Sequence, residues 1–293
     1  MIYKNGRPKG FVNWKPQKAT QQILLQVQEV LAQYREHWPL TIRQIFYRLV
    51  GVYEYDKTEL AYDRILDYMA RARRSRMIPM EAIRDDGTTR EDGEGWQDTE
   101  HFLRFIVQEA KRYTRNKQER QATRILILVE AAGMLPQIVK AVGLYGIPVL
   151  SSSGFDSITM KYELAKDIID DGRPTVVFHI GDLDPSGVCI FDSVQADVEA
   201  FVGNDQALLF KRIALTPDQV ILHNLPTVPP KATDKRGGGM SETCQAEALP
   251  PDTLAMIVRA AVEEYIDQAQ YDDDVAAEYE ERRDLIDRVS GLI

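Results

Sequence analysis

Apolar positions recur at two different spacings along this chain, and the change of spacing divides it into two parts. Up to about residue 76 they recur every three or four residues, which predicts amphipathic helices at 20–36, 41–52 and 58–76. A short extended excursion with a turn follows at 77–87, then a polar loop at 87–100 and a helix at 101–118. Three short helices followed by such an excursion are typical of a winged helix-turn-helix, although any small helical domain fits the same pattern.

From residue 124 onwards, short apolar runs alternate with helical segments. Strands are predicted at 124–130, 147–151, 175–181 and 209–214, with helices at 133–143, 157–170, 187–201, 251–268 and 272–290. This alternation is typical of βαβ units and predicts an α/β fold with a parallel sheet. The predicted organisation is a flexible basic arm (1–18), a mainly helical winged-helix domain (19–100), a connecting helix (101–122), a Rossmann-like sheet domain (123–270) and a C-terminal helix (271–293).

Two of the predicted strands end on carboxylates. The run ILILVE ends at Glu130, and VVFHIGDLD supplies Asp182 and Asp184, which leave an extended chain on the same face. Ligands of an open parallel sheet bind at the carboxyl ends of its strands. Three carboxylates gathered there would repel one another unless a cation lay among them. A hard divalent cation, Mg²⁺ with Mn²⁺ as a substitute, prefers such oxygen ligands, so we predict a metal site at this edge.

The distribution of charged residues along the chain changes the interpretation of the net charge. The net charge of −9 by itself argues against a DNA-binding protein. However, residues 1–124 carry 23 Lys+Arg against 17 Asp+Glu, whereas residues 125–293 carry 13 against 28. The basic N-terminal part could bind a polyanion such as DNA, and the acidic C-terminal part could bind a metal. An ordinary surface of uneven charge fits the same distribution.

Cysteine content and hydropathy indicate in which cellular compartment the protein is expected. The chain has two cysteines, Cys189 and Cys244, which do not make a disulfide framework or a zinc motif. No apolar run approaches the roughly 20 residues that span a bilayer, and the basic N-terminus lacks the apolar core of a secretory signal. We therefore expect a reduced, cytoplasmic protein without a membrane partner.

The second predicted helix carries a candidate nucleophile. Five apolar residues between Ile42 and Val50 form its core stripe, and Tyr47 falls well off the centre of that stripe. Arg43, four residues earlier, lies on the same flank, where its guanidinium would favour a phenolate and hold a phosphate. Because a tyrosine on the flank of a helix is usually a packing residue, this helix alone does not establish catalysis.

Other basic residues are candidates for contacts with a phosphate backbone. The third predicted helix contains Arg71, Arg73, Arg74 and Arg76, for which a solvated face is the alternative. The loop at 231–240 contains Lys231, Lys235 and Arg236 with three glycines, and a plain connection fits it equally well.

Taken together, these motifs resemble a known family. A Glu after one strand and Asp-x-Asp after a later strand resemble the Toprim domain of topoisomerases, primases and some nucleases. GDLDPSG (181–187) is similar to the Asp-x-Asp-Pro-x-Gly segment in the DNA-cleaving subunit of topoisomerase VI and in the related meiotic double-strand-break proteins. Residues 43–47 (RQIFY) match the Arg-x-Ile-Tyr/Phe-Tyr motif of that family. SSSGFDSIT (151–159), which lacks a Lys and a Pro of the family segment, and QAEALPP (245–251) resemble two further segments loosely.

The resemblance spans roughly residues 40–250 and implies a winged helix followed by a Toprim domain. It implies a type IIB-like topoisomerase or a related transesterase that breaks both strands. Tyr47, Arg43 and Glu130 would be catalytic: Tyr47 would attack a DNA phosphodiester and form a 5′-phosphotyrosyl link, and Arg43 would hold a non-bridging oxygen. Glu130, Asp182 and Asp184 would hold Mg²⁺. It further implies a nucleoid-associated homodimer on double-stranded DNA, in which the tyrosine of one protomer works with the carboxylates of the other.

Two other functions fit the same sequence. A Toprim nuclease would hydrolyse DNA with activated water and without Tyr47, and a non-catalytic DNA-binding subunit would hold metal only to stabilise its fold. The sequence leaves open whether a separate ATPase subunit exists. The glycines at 237–239 lack the Gly-Lys-Ser/Thr that would follow in a Walker-type loop.

Overall fold

A computed structural model describes residues 13–84, 95–151, 158–203, 206–230 and 241–291. The chain is α/β, as predicted. The helices are α1 (Lys18–Gln33), α2 (Ile42–Tyr53), α3 (Glu59–Arg74), α4 (Thr99–Lys111), α5 (Leu135–Val142), α6 (Ile158–Asp171), α7 (Pro185–Val202), α8 (Pro217–Leu222), α9 (Pro251–Glu263) and α10 (Gln268–Ser290). The strands are β1 (Leu40–Thr41), β2 (Ile83–Arg84), β3 (Arg124–Val129), β4 (Val149–Ser151), β5 (Thr175–Ile180) and β6 (Leu208–Ala214).

Four strands form one parallel sheet in the order β4-β3-β5-β6. Every residue of β5, and all of β3 after Arg124, is buried, because helices cover both faces of the sheet. In the register of β3 and β5, Val129 lies opposite Ile180, and the next amide, that of Glu130, donates to the carbonyl of Ile180 at 2.8 Å. The residues that follow these two strands therefore emerge side by side at the carboxyl edge of the sheet.

The N-terminal part contains the three predicted helices, α1 to α3. The side chains of Val27, Leu31, Ile45, Ile65 and Met69 are fully or almost fully buried between them. The excursion after α3 includes the two-residue strand β2, which pairs in parallel with β1. Residues 85–94 lie outside the described residues, as do the first twelve residues of the predicted arm. The winged-helix and Toprim classifications therefore stay predictions.

The helix before the sheet is shorter than the sequence pattern predicted. Asp98 caps α4 by accepting from the amide of His101 at 2.6 Å, and α4 ends at Lys111 instead of continuing to 118. The chain leaves the helix because its next residues bind acidic side chains of α10: the amide of Arg115 donates to the Glu278 carboxylate at 2.9 Å. Arg115 also pairs with the fully buried Asp274 at 3.1 Å, so this turn anchors the C-terminal helix.

A single hydrophobic cluster joins the helical part to the sheet. It contains Ile45 and Leu49 of α2 together with Met134 and Ile138 beside the sheet and Leu249 near the C-terminal end. Since α2 shares this core with the sheet, its position relative to the carboxyl edge is fixed by packing. In the described part of the chain, no helix combines the length and the apolar composition needed to cross a bilayer.

Candidate functional site

The structure brings the three predicted acidic residues to the carboxyl edge of the sheet. The Glu130 carboxylate accepts from the amide of Asp182 at 2.9 Å, and Asp182 Oδ1 accepts from the amide of Ala246 at 2.8 Å. Asp184 is the N-cap of α7, where its Oδ1 accepts from the amide of Gly187 at 2.6 Å. We call Glu130, Asp182 and Asp184 the carboxylate edge. A backbone amide fixes each of the three side chains.

The carboxylate edge is electrostatically strained. Burial raises the pKa of Glu130 to about 7, and the charges of Asp182 and Asp184 contribute to the same rise. Burial also raises the pKa of Asp182. Glu130 is therefore partly protonated at neutral pH in the absence of a cation, because three negative charges in a half-buried place disfavour full ionisation.

A half-buried guanidinium that sequence reasoning missed lies beside these carboxylates. Arg212, on β6, donates to the carbonyl of Gly181 at 2.8 Å and to that of Asp182. Its charge lowers the pKa of Glu130, but less than burial and Asp182 raise it. The available signal was the Lys211–Arg212 pair within the mostly apolar strand LLFKRIA, close to its carboxyl end. Arg212 holds the Gly181–Asp182 turn in place.

Two glycines make room for the carboxylate edge. A Cβ on Gly181 would lie 2.5 Å from both the Glu130 Oε2 and the Cε1 of His179, and one on Gly187 would lie 2.7 Å from the Asp182 carbonyl. His179, inside β5, is buried, and neither ring nitrogen has a hydrogen-bond partner in the part of the chain that the structure describes. Burial lowers its pKa to about 3, so its ring is neutral.

The donor chemistry of the carboxylate edge fits a hard divalent cation. Its donors are carboxylate oxygens, and a bound cation would offset both the burial and the repulsion from Asp182 and Asp184 that raise the pKa of Glu130. As they stand, however, the side chains point to backbone amides. Among the described residues, no three His, Cys, Asp or Glu side chains form a group that could hold a metal. Each carboxylate accepts an amide through one oxygen and keeps acceptor capacity, so binding would require the three side chains to converge on the cation.

Tyr47 is buried, although the helix pattern placed it off the core stripe. Its side chain is 6% exposed, and its hydroxyl donates to Gln245 Oε1 at 2.5 Å. Burial raises the pKa of Tyr47 well above its ordinary value, and the nearby Arg43 charge only partly offsets this. A pattern read from one helix missed this burial because Gln245, which covers that flank, is 198 residues away in sequence.

Arg43 lies on the same flank of α2, as predicted, but it already has partners. Its Nε is 3.7 Å from a carboxylate oxygen of Glu247, and its guanidinium lies 5.5 Å from the ring of Tyr62. Glu247 also accepts from the hydroxyl of Thr41, the N-cap of α2, at 2.6 Å. The buried Glu247 therefore fixes both the start of α2 and the arginine beside Tyr47.

One segment connects Tyr47 with the carboxylate edge. We call residues 243–248 the bridging segment. Its Cys244 pairs with Leu183 in an antiparallel bridge, and its Ala246 amide binds Asp182, while its Gln245 accepts from Tyr47. The family resemblance covers QAEALPP only loosely, and the structure shows that these residues touch both predicted parts of the site.

The α2 flank and one residue of the carboxylate edge, Asp184, open onto one cavity of about 650 Å³, whereas Glu130 and Asp182 lie outside its described lining. Tyr47 and Arg43 of α2 line one side, and Asp184 at the start of α7 lines another. Lys57 and the α3 carboxylates Glu59 and Asp63 also line it. Its size suits a nucleotide-sized ligand.

The predicted DNA-binding arginines lie elsewhere. Arg71, Arg73 and Arg74 are in the last turn of α3, Arg71 pairs with Asp67 at 2.9 Å, and none of them lines the cavity. Arg76 follows α3 with a positive φ of 64°. Lys231, Lys235 and Arg236 lie outside the described residues, as does most of the SSSGFDSIT segment.

Comparisons with known proteins gave no further assignment. No family model matches the chain, and no curated protein matches it.

Proposed function

We propose that this chain cleaves double-stranded DNA by a metal-dependent transesterification in which Tyr47 is the nucleophile. The observation that carries the proposal is the meeting of Tyr47, Arg43 and Asp184 on one cavity, with the bridging segment bound to both Tyr47 and Asp182. These residues come from two distant parts of the sequence, and they are the ones that resemble the DNA-cleaving subunit of topoisomerase VI.

In this reaction the Tyr47 oxygen bonds to the phosphorus, the bond from phosphorus to the 3′ oxygen breaks, and the phenolic proton balances the one that the released 3′-hydroxyl gains. Arg43 would turn from Glu247 to a non-bridging oxygen. Glu130, Asp182 and Asp184 would hold Mg²⁺ or Mn²⁺, whose charge would offset the negative charge that develops on the phosphate. Because the Tyr47 hydroxyl donates to Gln245, an amide that cannot take up its proton, the hydroxyl must leave this bond when DNA binds.

The assembly is a further part of the proposal. The resemblance supports a homodimer whose two sites break the two strands, with strand passage if a separate ATPase subunit joins it. Mixing Tyr47→Phe and Asp182→Asn proteins tests whether each site is shared between two protomers. If each site combines residues of two protomers, the mixture regains cleavage that neither variant shows alone. If each site lies within one chain, the mixture stays inactive.

One observation favours a second candidate, a hydrolytic nuclease that does not use Tyr47. A buried phenol whose pKa is raised and whose hydroxyl is bound to Gln245 is a poor nucleophile. In that reaction the carboxylate edge would act on a water molecule instead, and no protein–DNA bond would form.

The experiment is cleavage of supercoiled plasmid with Mg²⁺ or Mn²⁺, quenched with denaturant and analysed for protein-linked DNA. The variants are Tyr47→Phe, Asp182→Asn and the control Tyr53→Phe, which removes a hydroxyl from the same helix where it binds the exposed Glu29 at 2.6 Å. We expect adducts from the native protein and from Tyr53→Phe only. Cutting that persists in Tyr47→Phe but not in Asp182→Asn would replace the proposal with the nuclease.

A further inference from the structure

Lys57 is the one residue lining the cavity whose positive charge has no carboxylate partner in the described ranges. It lies in the connection between α2 and α3, and its Nζ donates to the carbonyl of Pro226 at 2.6 Å. The other cavity cation, Arg43, is paired with Glu247. Glu242 attracts Lys57 only at longer range. An ammonium that is half-buried without an ion pair is costly, which is typical of a position that receives an anion.

The geometry places this ammonium next to the proposed nucleophile. Lys57 Nζ lies 5.5 Å from the centre of the Tyr47 ring. An ammonium has three donors, and the Pro226 carbonyl uses one of them, so two remain for a ligand. Burial lowers the pKa of Lys57, as expected for a charge that has lost part of its hydration.

The charges around the cavity restrict where an anion can lie. Glu59 and Asp63 on α3 and Asp184 at the start of α7 would repel a phosphate from their parts of the wall. The region between Arg43, Tyr47 and Lys57 is the part where two cations face the same space.

We propose that Lys57 binds a non-bridging oxygen of the phosphate that Tyr47 attacks, opposite Arg43. The inference rests on the proposed function for the identity of that phosphate, whereas the contact between Lys57 and a phosphodiester can be measured without any reaction. A lysine serves here as a point charge with adjustable donors, so an arginine should replace it only in part.

The first arm of the test measures binding without chemistry. A labelled DNA duplex is titrated with Tyr47→Phe protein at several salt concentrations without metal, with and without Lys57→Met. Loss of one phosphate contact lowers the slope of log affinity against log salt by about 0.9. Lys166→Met is the matched control, because it removes the same charge from an exposed position of α6. We expect the salt slope of the Tyr47→Phe protein to be unchanged when Lys166→Met is added.

The second arm measures formation of the covalent adduct in a single turnover at saturating DNA. We expect Lys57→Met to form it at least about tenfold more slowly, Lys57→Arg to recover part of that loss, and Lys166→Met to equal the native protein. A matching thermal unfolding curve for Lys57→Met, or the recovery in Lys57→Arg, separates the effect from misfolding.

The two arms separate the inference from the proposed function. An unchanged salt slope in Lys57→Met overturns the inference whatever the adduct does. A reduced slope with a native rate of adduct formation also overturns it, because Lys57 then holds a different phosphate. If the native protein forms no adduct, the proposed function fails, and a reduced slope would still support phosphate binding by Lys57.

Discussion

Replacing Glu130 with Gln tests whether the carboxylate edge is a strained, cation-requiring cluster. Burial and the two aspartates raise the pKa of Glu130 from 4.5 to about 7. The unfolded chain has no such surroundings, so its Glu130 ionises near 4.5. Between these two values the folded state binds more protons than the unfolded state. Its stability therefore falls as pH rises from about 4.5 to about 7 and stays low above that.

The size of the effect follows from the two pKa values. At about 1.4 kcal/mol for each tenfold change, the difference corresponds to at most about 3 kcal/mol of stability lost above neutral pH. Because Glu130 keeps part of its contact with solvent, screening reduces the expected loss to about 1–3 kcal/mol. Glutamine has nearly the same shape and no charge, so Glu130→Gln should be more stable than the native protein by this amount at about pH 8. The two should be nearly equal at about pH 4.

The assay is denaturant unfolding at both pH values, with chelator and with Mg²⁺ or Mn²⁺. A cation present at about 100 times its Kd adds about 2.7 kcal/mol to the native protein, which should remove most of the advantage of Glu130→Gln at the higher pH. A variant less stable than the native protein at about pH 8 without metal would refute the electrostatic reasoning. Equal stabilisation of both proteins by the cation would refute Glu130 as a ligand.

Two further changes have clear expected outcomes. Gly181→Ala should lose the response to metal and destabilise the fold by about 1–3 kcal/mol, since the new methyl collides with Glu130. Gly51→Ala, where a Cβ meets nothing within 4 Å, should instead gain about 0.5–1 kcal/mol; equal effects at both glycines would contradict the packing. Asp274→Asn should cost about 1–3 kcal/mol in denaturant unfolding, because the partly exposed Arg115 and Arg120 lose their buried partner while Arg115 keeps Glu281; an unchanged stability would contradict that pairing.

The sequence predicted the sheet domain well because its signals are local. The apolar runs ending at Glu130 and Asp182 formed β3 and β5, and the alternating helices made the sheet parallel. The strand order β4-β3-β5-β6 was not predicted, since hydrophobic pattern does not determine which strands are neighbours. The short helix α8 was missed although Thr216, Pro217 and Gln219 gave a capping-box signal for it.

The candidate site was predicted only in part because much of it depends on contacts between distant residues. Strand ends located the carboxylate edge, since the carboxyl ends of parallel strands meet. The burial of Tyr47, however, depends on Gln245, and the orientation of Arg43 depends on Glu247. Lys57 had no local feature to distinguish it from a surface lysine. Residues of this kind can be recognised as part of the site only from the folded structure, in which they line one cavity.

The most direct measurement is identification of the residue that carries DNA after cleavage. The denaturant-quenched reaction is digested with nuclease and protease, and peptides bearing a nucleotide are sequenced by mass spectrometry. We expect one modified peptide, with the nucleotide joined through its 5′ phosphate to Tyr47. Cut DNA without a modified peptide, or a nucleotide on another residue, would contradict the proposed role of Tyr47.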